Sequence, residues 1–296
     1  PMRAKRVQTS SSNAISIATI DVYSLVSQGS TNNPVGVATL PSALASVGAF
    51  AFSETAIREI TIPEGVTQLV STAKDYNDDS DLFLNCTQLE KVVFGGNVSV
   101  IGSSVFQDCT NLKTIQYSAG GEVFGEEGEA TLPDGVTLIG DYAFSGTAIG
   151  AVNIPSSVTA VGRYLFQDCT ALKYAEYLTP VTLYGTGATN YSTYLFDGCT
   201  SLERVVLNSN IRSIPGYTFM DCTSLTTIDL YDPSTGMITE SDAGVASLPA
   251  GLTYMGAHSF ENTAIREITI PRGVTSSMTA MFSGCTKLEK VMLHDA

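Results

Sequence analysis

Nine times along 296 residues, a phenylalanine opens the same short frame. Six copies read F-x-x-C-T-x-L, from Phe83 to Leu89, Phe106 to Leu112, Phe166 to Leu172, Phe196 to Leu202, Phe219 to Leu225 and Phe282 to Leu288. All six Cys of the chain sit in this frame. Three further copies lack Cys and are one residue shorter, with Phe52, Phe144 and Phe260 leading into Thr-Ala-Ile. A repeat this regular limits the fold more than any composition does. One unit of this size cannot bury its own apolar face, so neighbours must stack and share a continuous core.

A short alternating run follows each frame. Ile57-Arg58-Glu59-Ile60-Thr61-Ile62-Pro63 recurs residue for residue at Ile265 to Pro271, and Leu89-Glu90-Lys91-Val92-Val93-Phe94 parallels Leu202 to Leu207. Alternation of apolar and polar residues with β-branched enrichment predicts strands. The closing Pro has no N–H and ends the ladder. A turn and an apolar pair come next, as in Gly135-Val136-Thr137-Leu138-Ile139-Gly140. The chain then re-enters the frame through Tyr142-Ala143-Phe144, where a short helical turn on the outer side is expected. Phe144 to Phe166 and Phe83 to Phe106 set a period of 22 to 23 residues, inside the leucine-rich-repeat range. The expected fold is therefore an α/β solenoid. It is a leucine-rich-repeat right-handed superhelix with one parallel sheet of about ten short strands, and helical turns or loops on the other side.

Residues 36–296 are expected to hold nine repeats in one continuous solenoid. Residues 14–35 are expected to form a partial N-terminal repeat or cap, because Ile17 to Tyr23 matches Leu225 to Tyr231. Residues 1–13 are expected to be a disordered tail or cloning remnant, and further segments are expected to flank the array. Insertions lengthen some repeats at Asp75 to Asp81, Ser118 to Ala130, Tyr184 to Tyr194 and Pro233 to Ala246.

The frame resembles the BspA-like (Treponema pallidum-type) leucine-rich repeat, C-x-x-L-x-x-I-x-[IL]-P…[VL]-x-x-I-G-x-x-[AV]-F. Cys109 to Ile115 and Ile154 to Phe166 are close to it, and the match spans roughly residues 36–293. The three Cys-less copies and the long insertions depart from it. The resemblance implies a surface or secreted protein used in adhesion and in host or matrix interaction.

Stacking places the six thiols in one row, where Cys acts as a small buried hydrophobe. Free thiols are expected, with Cys86 and Cys109 the pair close enough to oxidise if the coils approached unusually. The formal net charge of -14 repels nucleic acid and anionic lipid, and neither is expected as a partner. No apolar run approaches the roughly 20 residues of a membrane span. The expected partner is a protein or glycoprotein met by a monomer outside the cell or at its surface.

No catalytic constellation emerges. The two His, His258 and His294, fall at different frame positions, so a His-based triad or zinc site is not expected. Asp75, Asn77, Asp79 and Asp81 alternate oxygens as a calcium loop does. Ser80, however, stands where such a loop needs Gly, and Cys86 where it needs a bidentate Glu. The plainer reading is a solvated acidic loop. Glu122, Glu126, Glu127 and Glu129 read as a flexible surface insertion. No cofactor is expected. A hydrolase built on these acidic loops would need two convergent carboxylates.

The better candidate is the outward face of the sheet, formed by residues flanking each buried Ile or Val. Its middle carries Gln116, Asn153, Tyr174, Glu176, Arg204, Thr227 and Asp229, with Tyr and Arg as the customary anchors of protein interfaces. Tyr184, Tyr191 and Tyr194 are expected to rim it. The alternative function is a structural spacer that holds another domain of a longer protein.

Overall fold

The computed structural model describes residues 36–70, 80–180, 192–275 and 279–293. The expectations for residues 1–35 and for Asp75, Asn77, Asp79, Tyr184, Tyr191 and His294 fall outside these residues. The chain divides into two compact units, Pro1–Ile149 and Gly150–Ala296.

In chain order the first unit carries β1 (Val37–Thr39), β2 (Glu59–Thr61), β3 (Gln68–Leu69), β4 (Lys91–Gly95), β5 (Val100–Ile101), β6 (Thr114–Ala119), β7 (Glu122–Phe124), β8 (Glu129–Thr131) and β9 (Leu138–Ile139). Strands β1, β2, β4, β6 and β8 form a parallel ladder. The pairs β3–β5 and β5–β9 form a narrower parallel ladder.

The second unit carries β10 (Ala151–Ile154), β11 (Ala160–Val161), β12 (Tyr174–Tyr177), β13 (Arg204–Asn208), β14 (Ser213–Ile214), β15 (Thr227–Asp232), β16 (Met237–Thr239), β17 (Val245–Ala246), β18 (Tyr254–Met255), β19 (Glu267–Ile270) and β20 (Lys290–Leu293). Its ladder runs β10, β12, β13, β15, β17, β19 and β20, all parallel. The turns between these strands hold no helix among the described residues.

The two ladders contain five and seven strands, twelve in all, against about ten expected. Nine coincide with the runs that follow the nine frames. The other three, β1, β8 and β17, start just after Gly36, Gly128 and Gly244 and lead into Leu-Pro. No Phe frame precedes them, which hid them from the repeat count. Strands β7 and β16 are antiparallel additions, paired to β6 and β15. The insertions at Ser118 to Ala130 and Pro233 to Ala246 are thus ordered hairpins, not loose loops.

The core is built in rows. Phe52, Phe83, Phe106 and Phe144 stack at 5.2, 5.3 and 5.7 Å. Phe166, Phe196, Phe219, Phe260 and Phe282 stack at 5.6, 5.7, 5.4 and 5.9 Å. The pitch follows from strand spacing of about 4.8 Å, which sets like residues of adjacent coils one above the other. Burying each such ring is worth about 1.5–3 kcal/mol relative to exposure.

Cysteine ties coil to coil. The Cys86 thiol donates to the Phe52 carbonyl at 2.8 Å, Cys109 to Phe83 at 3.1 Å, Cys199 to Phe166 and Cys222 to Phe196 at 3.0 Å, and Cys285 to Phe260 at 2.9 Å. All six Cys are free thiols, five of them buried and Cys285 half-buried. Burial pushes the Cys199 and Cys222 thiols well above their usual range, so they remain protonated donors. In the Cys-less copies Thr55, Thr147 and Thr263 occupy the Cys position. Their hydroxyls donate to the Phe carbonyl of their own coil, at 2.7, 2.9 and 3.0 Å. Threonine thus satisfies the carbonyl from within the coil where cysteine reaches across to the previous one.

Candidate functional site

Strand register places the expected face residues as the alternation requires. In the second unit Ala151, Tyr174, Arg204 and Thr227 form one row across neighbouring strands, and Asn153, Glu176, Val206 and Asp229 form the next. The buried partners Val152, Ala175, Val205 and Ile228 point the other way into the core. A strand reverses side-chain direction at every residue, so one register fixes both faces.

Two bonded clusters occupy this face. The Asn153 amide donates to Glu176 Oε2 at 2.6 Å, and the Tyr174 hydroxyl donates to Glu176 Oε1 at 2.8 Å. Burial and the bond to Glu176 push the Tyr174 phenol well above its ordinary value. It therefore stays a neutral donor across the physiological range. One strand further on, Arg204 holds Asp229 in a bidentate pair, Nε to Oδ2 at 2.5 Å and Nη2 to Oδ1 at 3.0 Å. The Arg204 side chain is 36% exposed and that of Asp229 only 2%. The Asp229 bond raises the Arg204 pKa further above its ordinary value, keeping the guanidinium fixed and charged.

The hairpin strand β16 leads back over this face. Ser241 N–H donates to Asp229 Oδ1 at 2.8 Å, and the Ser241 hydroxyl donates to the Ile228 carbonyl at 2.7 Å. Gly244 N–H reaches the Thr227 hydroxyl oxygen at 3.4 Å. Thr227 and Asp229 are consequently 3% and 1% exposed. Asn153, Tyr174, Glu176 and Arg204 remain half-exposed.

The first unit uses the same device. After the turn at Gly120 and Gly121, β7 returns along β6 and the chain folds over the face. The Gln116 amide donates to the Gly125 carbonyl at 2.7 Å, the Thr114 hydroxyl donates to Glu127 Oε2 at 3.0 Å, and Gly128 N–H donates to Thr114 Oγ1 at 2.9 Å. Lys91 pairs with Glu127. The Lys91 and Thr114 bonds lower the Glu127 pKa. Gln116 ends 7% exposed. Gly128 and Gly244 adopt φ of +87° and +91°, a conformation that a side chain at either position would strain. Glu127, Ser241 and the two glycines are thus site residues that the repeat pattern did not single out. The sequence signal for the two glycines was the shared G-x-A-x-L-P that closes both insertions; Glu127 and Ser241 lie outside it.

Tyr194 does not rim the sheet face. It lies on the turn before Phe196, where its ring stacks between Tyr164 at 4.8 Å and Tyr217 at 4.5 Å. His258 extends that stack at 4.8 Å from Tyr217 and pairs through Nδ1 with Glu261 Oε2 at 2.5 Å. Asp81, the described member of the acidic alternation, is buried. Among the described residues no group of three or more His, Cys, Asp or Glu is placed to hold a metal ion. No described helix is long and apolar enough to cross a membrane.

The model of the BspA-type leucine-rich repeat region matches the sequence in six copies, over residues 31–128, 137–246 and 241–296. A leucine-rich-repeat protein of T. pallidum is similar in structure, with 18% identity and a TM-score of 0.48, over 73% of this chain and 79% of that one. One from Bacteroides ovatus is 21% identical with a TM-score of 0.43, over 87% and 72%. A leucine-rich cell surface protein of Faecalibacterium prausnitzii is 20% identical with a TM-score of 0.32, over 88% of each chain. Among curated proteins there is no significant match.

Proposed function

Because the chain belongs to the BspA-type leucine-rich-repeat family, we propose that it is a non-catalytic binding module that engages a protein or glycoprotein, of host or matrix origin, at the cell surface or outside the cell. The observation that carries this reading is the bonded cluster of Asn153, Tyr174 and Glu176, with Arg204 held by Asp229 on the next strands, on the sheet face of the second unit. Asn153, Tyr174, Glu176 and Arg204 are half-exposed, and three of them are anchored by hydrogen bonds to Glu176 or Asp229. Anchored side chains lose little rotamer entropy on binding. An aromatic and a guanidinium on rigid strands are the residue types that dominate interface energetics. Thr227 and Asp229 support this surface by fixing the second unit's hairpin and Arg204, while Gln116 fixes the hairpin of the first unit. The net charge of -14 favours partners with basic patches over nucleic acid or anionic lipid.

The test is saturable binding of the purified monomer to immobilised matrix glycoproteins and to host-cell surfaces, repeated with Tyr174→Ala and Arg204→Ala. Each substitution is expected to weaken binding at least fivefold, about 1 kcal/mol or more for an anchor. Absence of saturable binding, or unchanged affinity in both variants, removes the reading.

A structural spacer is the second reading. It is favoured by the hairpins, which already cover Gln116, Thr227 and Asp229 and so occupy part of the face a ligand would need. A full-length reading frame with a distal binding or catalytic domain supports the spacer.

A further inference from the structure

The turn side of the second unit carries an arrangement that the binding reading does not use. Tyr164, Tyr194 and Tyr217 occupy the same frame position, two residues before Phe166, Phe196 and Phe219. All three adopt φ between 50° and 61°, a left-handed conformation that is costly for bulky residues. Their rings lie nearly parallel, 11° apart for Tyr164 and Tyr194 and 16° for Tyr194 and Tyr217. The register is held from the backbone. Tyr164 N–H donates to the Thr193 carbonyl at 2.7 Å, and Tyr217 N–H to the Ala257 carbonyl at 3.1 Å. On the inner side the Phe166, Phe196 and Phe219 stack holds the same three coils. The phenols are half-exposed, so a small oxidant reaches them. Tyr174 lies on the sheet strand β12, bonded to Glu176, and Tyr177 is buried.

We propose that Tyr194 and Tyr217 form a site of oxidative ring-to-ring cross-linking, which staples adjacent coils when a peroxide-driven one-electron oxidant is present. Burial, and then the neighbouring phenols, hold the Tyr194 pKa above its ordinary value, so the neutral phenol is the species oxidised. Each phenol gives up one electron, and its hydroxyl proton passes to water, leaving a phenoxyl radical. The two radicals join through a carbon–carbon bond between ring positions ortho to the oxygens. The two displaced ring hydrogens move to those oxygens and restore both phenols. The pair has then lost two hydrogen atoms, and one hydrogen peroxide has become two waters. The 4.5 Å separation means that only side-chain tilting is needed to bring ortho carbons together. The pair needs no diffusive encounter, the advantage of any pre-oriented reaction. Tyr194–Tyr217 is favoured over Tyr164–Tyr194 because its rings are closer.

The test uses the whole chain, hydrogen peroxide and a haem peroxidase, at a protein concentration low enough to suppress encounters between molecules. The expected result is blue dityrosine fluorescence in the monomer fraction after size exclusion. Peptide mapping should show Tyr194 joined to Tyr217 with the loss of two hydrogen atoms. Tyr194→Phe keeps a ring in the stack but removes the phenol, and should take monomer fluorescence to background. Cross-links found solely between molecules, a product joined at other tyrosines, or undiminished monomer fluorescence in Tyr194→Phe overturn the proposal. So does the absence of any coupled product in the native wild type.

Discussion

Phe196 is the rung on which the stacking account can be tested most directly. Its ring is fully buried, 0% exposed, and lies 5.6 Å from Phe166 and 5.7 Å from Phe219, within 8° and 3° of parallel. Phe196→Ala removes the ring and leaves a cavity between two coils, a change that costs about 3–5 kcal/mol. Phe196→Leu keeps most of the apolar bulk but removes both ring contacts. At about 0.5–1.5 kcal/mol each, it should cost roughly 1–3 kcal/mol. Melting midpoints should fall by about 2–4 °C per kcal/mol in a chain of this size. Urea titrations followed by circular dichroism, with calorimetry on the same samples, measure both variants. Because stacked repeats couple chiefly to their neighbours, the slope should be compared along with the midpoint. If Leu costs as much as Ala, or if both cost under about 1 kcal/mol, the aromatic row is not what holds the coils.

Four further outcomes follow from the geometry. Thr227→Val removes the acceptor of the Gly244 N–H and should cost about 1–3 kcal/mol through an unpaired donor, read as faster amide exchange at Gly244 and Ser241. Glu127→Gln weakens the Lys91 pair and touches the Thr114 bond, both on a Glu side chain that is 71% exposed. It should change stability by less than about 1 kcal/mol, and less still in high salt. Burial raises the Asp197 pKa, so the folded state holds its proton to higher pH than the unfolded chain does. Stability from this group is full below the ordinary Asp range and falls as pH rises through that range to the folded value. Asp197→Asn should therefore raise the unfolding free energy at pH 7, with the gain fading on acidification; an equal gain at all pH values refutes it. Finally, a thiol reagent should label Cys285 first in the native protein and reach the five buried Cys only on unfolding.

Much of this architecture was legible because a stacked repeat turns sequence spacing into space. The identical runs Ile57 to Pro63 and Ile265 to Pro271 adopt the same arrangement: Arg58 and Arg266 pair with Glu90 and Glu289 of the following coil. The rows Tyr174–Arg204–Thr227 and Glu176–Val206–Asp229 follow from the same alternation. The coverage of that face was not legible. Whether Asp229 faces water depends on Ser241, twelve residues on, and on a hairpin whose tip sequence resembles no other segment. The turn that aligns Tyr164, Tyr194 and Tyr217 was hidden for another reason. Their alignment requires positive φ at an aromatic residue, against its local preference, and only the packed coil enforces that. The strands after Gly36, Gly128 and Gly244 escaped because they carry the ladder without carrying the frame.

Those glycine-led strands have a consequence for how such a chain diversifies. Each hairpin leaves the sheet after the same strand position and is docked again by the same latch, a backbone N–H of Gly128 or Gly244 on the hydroxyl of Thr114 or Thr227. Everything between departure and latch is open to change, and the two tips already differ. One is a tight Gly120-Gly121 turn bearing exposed Val123 and Phe124, the other a Pro233 to Gly236 loop bearing Met237 and Ile238. The latch works as a socket. New tips can be grafted or drift through mutation without altering the register of the coils beneath, so recognition can evolve on a frame that does not.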